Sequence, residues 1–155
     1  MANLDLPNGF TAVMKGGDAP PIYTAYTKSN ISLSPGDALI MLSGGTLDIA
    51  IASSTAIWGV CQSKITAVAA TKQKCLYIPA SPDIIFEGQC SGTFTPVNVG
   101  ESVDIEGTTG IMEINENAQV TGVARLIGLA GGVKNADGAN ARVWFTWCKS
   151  QWTGQ

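Results

Sequence analysis

Ala38-Leu39-Ile40-Met41-Leu42, then Ser43-Gly44-Gly45, then Thr46-Leu47-Asp48-Ile49-Ala50-Ile51-Ala52: two apolar runs meet around a glycine pair. Glycine accepts the positive φ that tight hairpin turns demand, so the three small residues predict a hairpin loop joining antiparallel strands. In the second run Leu47, Ile49 and Ile51 fall on one side, with Thr46, Asp48 and Ala50 on the other. That is the period of two expected of a half-buried strand.

The same alternation of short apolar runs and turn residues continues in both directions. Residues 22–27 are aromatic and β-branched, and Ser34-Pro35-Gly36-Asp37 reads as a turn. Residues 57–63 set Trp58, Val60 and Gln62 against Ile57, Gly59 and Cys61. Residues 63–71 fit either a short helix, favoured by Ala67, Ala69 and Ala70, or a bare loop. Residues 74–80 and 82–90 are apolar strands separated by Pro79-Ala80-Ser81-Pro82, and the prolines place both at an end or edge of a sheet. Residues 94–105 and 111–114 follow, punctuated by Gly107-Thr108-Thr109-Gly110 and Asn115-Glu116-Asn117. The last hairpin joins residues 119–129 to 141–152 through a loop at 130–140. On its second strand Val143, Phe145 and Trp147 share a face opposite Trp144, so apolar contact is expected on both sides. The pattern contains no internal repeat and no heptad. It predicts an all-β, antiparallel barrel or sandwich.

The first 20 residues read differently. Pro7, Gly9, Gly16-Gly17 and Pro20-Pro21 interrupt Leu4, Leu6, Phe10 and Val13 without any lasting period, which fits an extended N-terminal arm, or else a first strand of the same domain. The expected division is an arm at 1–20 and a single β-rich domain at 21–155. Met1 to Pro7 lacks both a basic leader and a sustained apolar run, so a cleaved signal is not indicated. Residues 37–60 are broken by Asp48 and Gly44-Gly45, which argues against a membrane span.

Composition narrows the chemistry. The 155 residues hold 9 basic and 12 acidic side chains and no histidine, for a net charge of −3. Nothing in that balance supplies a basic field for a phosphate backbone, so no nucleic-acid partner is expected. The missing histidine removes His-based triads, His metal ligands and His general bases. Cys61, Cys75, Cys90 and Cys148 include no Cys-x-x-Cys pair, so no metal or other cofactor is expected. Free thiols are the default reading, with three pairings open if disulfides form. Asp83, Glu87, Asp104, Glu106, Glu113 and Glu116 are the acids from which a paired-carboxylate hydrolase would have to be built. Several sit at turns, the ordinary place for a solvated acid. The glycine pairs lack the residues of a phosphate-binding loop. Trp144, Trp147 and Trp152 cannot all share a strand face, which favours packing over a sugar-stacking platform. Trp152, near the terminus, fits an interface anchor.

The order of several stretches resembles tailed-phage head decoration proteins, also called capsid cement or stabilising proteins. They are Met1-Ala2-Asn3-Leu4-Asp5-Leu6-Pro7-Asn8-Gly9-Phe10 with Gly16-Gly17; Trp58-Gly59-Val60 ahead of Tyr77-Ile78-Pro79 and Asp83-Ile84-Ile85-Phe86-Glu87; Val99-Gly100 through Val103-Asp104; and Ala124-Arg125-Leu126-Ile127-Gly128-Leu129 with residues 135–147. The resemblance spans nearly the whole chain. It implies a β-tulip-like barrel or sandwich that forms a homotrimer on the outer surface of an icosahedral head. The subunit would be made in the host cytoplasm and carried on the virion, without enzymatic activity. Its partners would be the major capsid protein and neighbouring decoration subunits, with Leu4, Leu6, Pro7, Phe10 and Trp152 as interface residues. Two other classes fit the residues: a carbohydrate-binding or adhesion module using exposed aromatics, and a trimeric hydrolase with acids at subunit boundaries.

Overall fold

The structure, a computed structural model, describes residues 3–15, 17–132 and 135–152. Met1, Ala2 and Gly16 of the expected arm lie outside the described residues, as do Val133 and Lys134 of the last hairpin loop. The strands are β1 (Thr11–Lys15), β2 (Tyr23–Tyr26), β3 (Ala38–Met41), β4 (Leu47–Ile49), β5 (Gly59–Cys61), β6 (Lys74–Pro79), β7 (Ile84–Gln89), β8 (Thr93–Phe94), β9 (Ser102–Glu106), β10 (Glu113–Asn115), β11 (Ala124–Leu129), β12 (Gly138–Ala139) and β13 (Arg142–Trp147). The only helical turn among the described residues is a 3₁₀ turn at Pro96–Asn98, and no helix is long and apolar enough to cross a membrane.

Three sheets form, of six strands (β1-β7-β13-β11-β9-β10), five strands (β2-β6-β5-β3-β4) and two (β12-β8). Every ladder is antiparallel. Both large sheets curl back on themselves, but among the described residues each meets itself at a single bridge. In the five-stranded sheet that bridge is Thr27 to Leu47, reinforced by an ion pair of Lys28 with Asp48 at 2.5 Å. In the six-stranded sheet it is Cys90 to Ile114. Neither sheet becomes a closed barrel, and the two pack together as a sandwich.

The hydrophobic interior lies in two bodies, and alternation along the strands explains why. Ala38, Val60 and Ile78 of the five-stranded sheet point toward the six-stranded sheet, where Phe86, Val103, Leu126, Val143, Phe145 and Trp147 meet them. Leu39, Leu47, Cys61, Cys75 and Tyr77 point the other way, into a second, smaller core closed by Ile31, Leu33 and Ile65. The central strand β5 is therefore buried on both faces, which is why its sequence shows no polar side.

The hairpin at β3 and β4 and the terminal pair of β11 with β13 form as expected. Along β13 burial alternates strictly, Trp144 being half-buried while Val143, Phe145 and Trp147 are enclosed. Residues 63–71 contain no helix. Two expectations need correction. Ile51 does not continue the inward-facing row of buried Leu47 and half-buried Ile49, because β4 stops at Ile49. Ile51 turns outward, with its N–H donating to Ser54 Oγ, while Ala50 is buried instead. Strands β6 and β7 are not edges: each has a partner on both sides. The ladder from β2 ends at Tyr77, and the Ala80 N–H turns to the Trp58 carbonyl on the β5 side. Pro79 thus lacks an N–H only where that side of β6 has run out of partners.

Candidate functional site

Asn3, Asp5, Leu6 and Asn8 lie along a segment that forms no strand yet is fastened at intervals. The Asn3 side-chain amide donates to the Ala136 and Ala139 carbonyls at 2.8 and 2.9 Å, and accepts from the Ala136 N–H at 3.1 Å. The Leu6 N–H donates to Gln89 Oε1 at 3.0 Å, and Gln89 Nε2 donates to Asp5 Oδ1 and Glu113 Oε1. Next comes a close crossing. Gly9 (φ 75°) and Gly36 (φ 94°) pass so tightly that a Cβ on Gly9 would lie 2.6 Å from the Gly36 carbonyl oxygen. The Phe10 N–H donates to that same oxygen at 2.8 Å.

This crossing drops Phe10 into the larger core. Its ring packs edge-on against Phe145 and Trp147, with centroids 5.3 and 5.4 Å away, and lies over Gly88, where a Cβ would come within 2.7 Å. From Thr11 the chain enters the six-stranded sheet as β1, paired with β7. The extended segment is therefore residues 3–10, and β1, inside the expected 1–20 arm, is an edge strand of the main fold.

The five expected interface residues separate into three groups. Leu4 and Leu6 stand in solvent, 73% and 61% exposed. Pro7 is half-buried, and Phe10, at 1% exposure, belongs to its own chain's core. Trp152 is half-buried in an aromatic cluster, 4.9 Å from the Tyr23 ring and 5.2 Å from that of Trp58, with Tyr77 behind. The chain end is held there because the Gln151 N–H donates to the Ile57 carbonyl and the Gln151 side chain accepts from the Met41 N–H. Trp144, Trp147 and Trp152 do not share a surface.

The acids are engaged in structure. Asp104 accepts from the Val120, Thr121 and Gly122 N–H groups and from the Thr121 hydroxyl, at 2.6–3.1 Å. Glu87 pairs with Arg142 at 2.5 Å, Glu106 accepts from Asn115, Glu116 accepts from the Gly92 N–H, and Asp83 accepts from the Ser81 hydroxyl. Burial pushes the Glu113 carboxyl upward. The Gln89 bond opposes this, and the nearby charges of Asp5, Glu106 and Glu116 add to it. A shallow depression of about 230 Å³ beside the segment is lined by Asn8, Phe10, Thr11, Pro35, Gly36 and Gln62, none of which ionises. No group of His, Cys, Asp and Glu suited to a metal occurs among the described residues.

Sequence reasoning missed Tyr23, Trp58 and Tyr77 as companions of Trp152, and Gly88 as the floor beneath Phe10. A glycine inside the strand run at 84–89 was the available signal, since such a residue often marks a close approach. Comparisons with protein-family models, curated proteins and solved structures returned no match.

Proposed function

We propose that the protein is a non-enzymatic decoration subunit that binds the outside of a tailed-phage head as a homotrimer and stabilises the shell against internal pressure. The major capsid protein and neighbouring decoration subunits are its partners. One observation carries this reading: residues 3–10 are fastened to the body by named hydrogen bonds and yet hold Leu4 and Leu6 out in water. Each leucine would contribute about 1.5–3 kcal/mol on full burial, a gain that only another surface can supply. A ligand that binds the assembled shell and not its separated parts stabilises the shell by mass action, and repeated weak contacts sum through multivalency.

The test is co-sedimentation with empty heads, using a double variant, Leu4→Asp with Leu6→Asp. Binding is expected to weaken by at least about 100-fold, because two buried leucines are lost. The melting temperature of the free protein should stay within about 1 °C, since neither side chain is packed at home. Undiminished sedimentation of the double variant would count against the reading, and a monomeric mass in solution and on heads would remove the trimer. Point substitution is the right tool, because deleting residues 1–15 would take Phe10 and β1 as well.

A carbohydrate-binding or adhesion module is the second reading, favoured by the partly exposed rings of Tyr23 and Trp152. Glycan-array binding that disappears in Tyr23→Ala, with head binding absent, would replace the first reading with this one.

A further inference from the structure

Cys61 ends β5, and Cys75 is the second residue of the neighbouring antiparallel strand β6. Cys61 lies opposite Tyr77, two residues from Cys75, so both cysteines share the face that points into the smaller core. Their Sγ atoms are 3.5 Å apart. A disulfide holds its sulfurs about 2.05 Å apart, so bond formation needs an approach of about 1.5 Å; because the two positions are diagonal across the ladder, the backbone at the end of β5 shifts along with the side chains. The other two thiols have different surroundings. Cys90 is buried in the larger core, and Cys148 is exposed beside Ser102 and the Gly122 carbonyl.

We propose that Cys61 and Cys75 are a preformed dithiol that a peroxide converts to an intrachain disulfide, locking the cover of the smaller core. The hydrogen bond from the Cys75 thiol favours the Cys61 thiolate against the opposing push of burial, and the same contact holds Cys75 protonated. Both thiols are fully buried, so peroxide reaches them when the loop at 62–74 opens, and Cys61, whose thiolate is the favoured one, is then the attacking sulfur. Its thiolate takes one oxygen of the peroxide, the O–O bond breaks, and the departing hydroxide picks up a proton to leave as water. The resulting Cys61 sulfenic acid is attacked by the Cys75 sulfur as that thiol gives up its proton. The S–O bond breaks, and hydroxide leaves with that proton as a second water. Two thiols lose two electrons and one peroxide gains them.

The bond would close the loop at 62–74, which contributes Ile65 to the smaller core and is tied to Leu33 by paired backbone hydrogen bonds of 2.8 and 3.0 Å. Residues 62–73 of that loop form no regular strand or helix. A cross-link at its base limits how far it can open, and it restricts the unfolded chain as well.

The experiment has two arms: hydrogen peroxide added to the folded, reduced protein, and refolding of denatured, reduced protein in a glutathione redox buffer. Free thiols are then alkylated and the tryptic peptides mapped by mass spectrometry. Lys64, Lys72 and Lys74 lie between the two cysteines, so trypsin leaves them joined only through a disulfide. The expected product has a mass lower by two hydrogens, a single Cys61–Cys75 link, and a melting temperature raised by roughly 5–10 °C that returns on reduction. Cys148→Ser should leave this unchanged, and Cys75→Ser should abolish it. The link in both arms supports the proposal. A link formed only on refolding would reject peroxide conversion of the folded dithiol while retaining the pairing. A different pairing, or free Cys61 and Cys75 in both arms, would overturn it.

Discussion

Phe10→Ala lowers the unfolding free energy by about 3–5 kcal/mol, the usual cost of removing a fully buried phenylalanine, and the melting temperature by about 10 °C. The ring fills the space above Gly88 and meets Phe145 and Trp147 edge-on. Its loss leaves a cavity, because the walls belong to β7 and β13, strands paired along their length that cannot collapse inward. It also unfastens the start of β1, an edge strand with only β7 beside it. Urea unfolding followed by tryptophan fluorescence is a suitable measure, as Trp147 is a direct neighbour. A loss below about 1 kcal/mol would mean that Phe10 is not seated in this core. The contrast with Leu4 and Leu6 is informative, since substitutions a few residues apart should separate cleanly into loss of fold and loss of binding.

Asp104→Ala costs about 3 kcal/mol or more, because several donors lose one charged acceptor and the buried Thr121 and Gly122 N–H groups are left without it. The substitution also changes the response to acid. Burial pushes the Asp104 carboxyl up, but the donors of Gly122, Thr121 and Val120 outweigh that and hold it below its ordinary 3.8. A carboxylate depressed in the folded state contributes stability that is present above the unfolded value and lost as pH falls through the folded one. Wild type should therefore lose stability below about pH 4 through this group, and Asp104→Ala should lack that part of the decline. Asp37 works in the opposite sense: burial raises its carboxyl despite bonds from the Gly110 and Ser34 N–H groups. Its contribution is present at low pH and lost as pH rises through its folded value. The difference between wild type and variant, followed by melting temperature from neutral pH to about pH 2.5, isolates Asp104. Equal slopes for the two proteins would refute the assignment.

How far the sequence could be read depended on whether a residue's surroundings were local. The hairpin at 38–52 and the alternation at Val143, Phe145 and Trp147 were legible, because a period of two encodes which face is covered. Ile51 was not, since where a strand stops depends on a turn bond to Ser54 that periodicity does not register. The positions of β6 and β7 were misjudged because a proline forbids one hydrogen bond, not a whole strand. The fate of Phe10 depended on Gly9 meeting Gly36, and that of Trp152 on Tyr23 and Trp58. Spacing along the chain carries no trace of such distant partners. Cysteine pairing is similar: Cys61 and Cys75 become neighbours only once β5 lies beside β6.

Because β5 lies between two separate hydrophobic bodies, the molecule has a built-in hierarchy of opening. Transient departure of the loop at 62–74 would wet one flank of the central sheet while the opposite flank stayed dry. Slowest amide exchange is therefore expected at Val60 and Cys61, whose release requires both flanks to give way. Opening of the outer layer therefore need not carry the larger core with it.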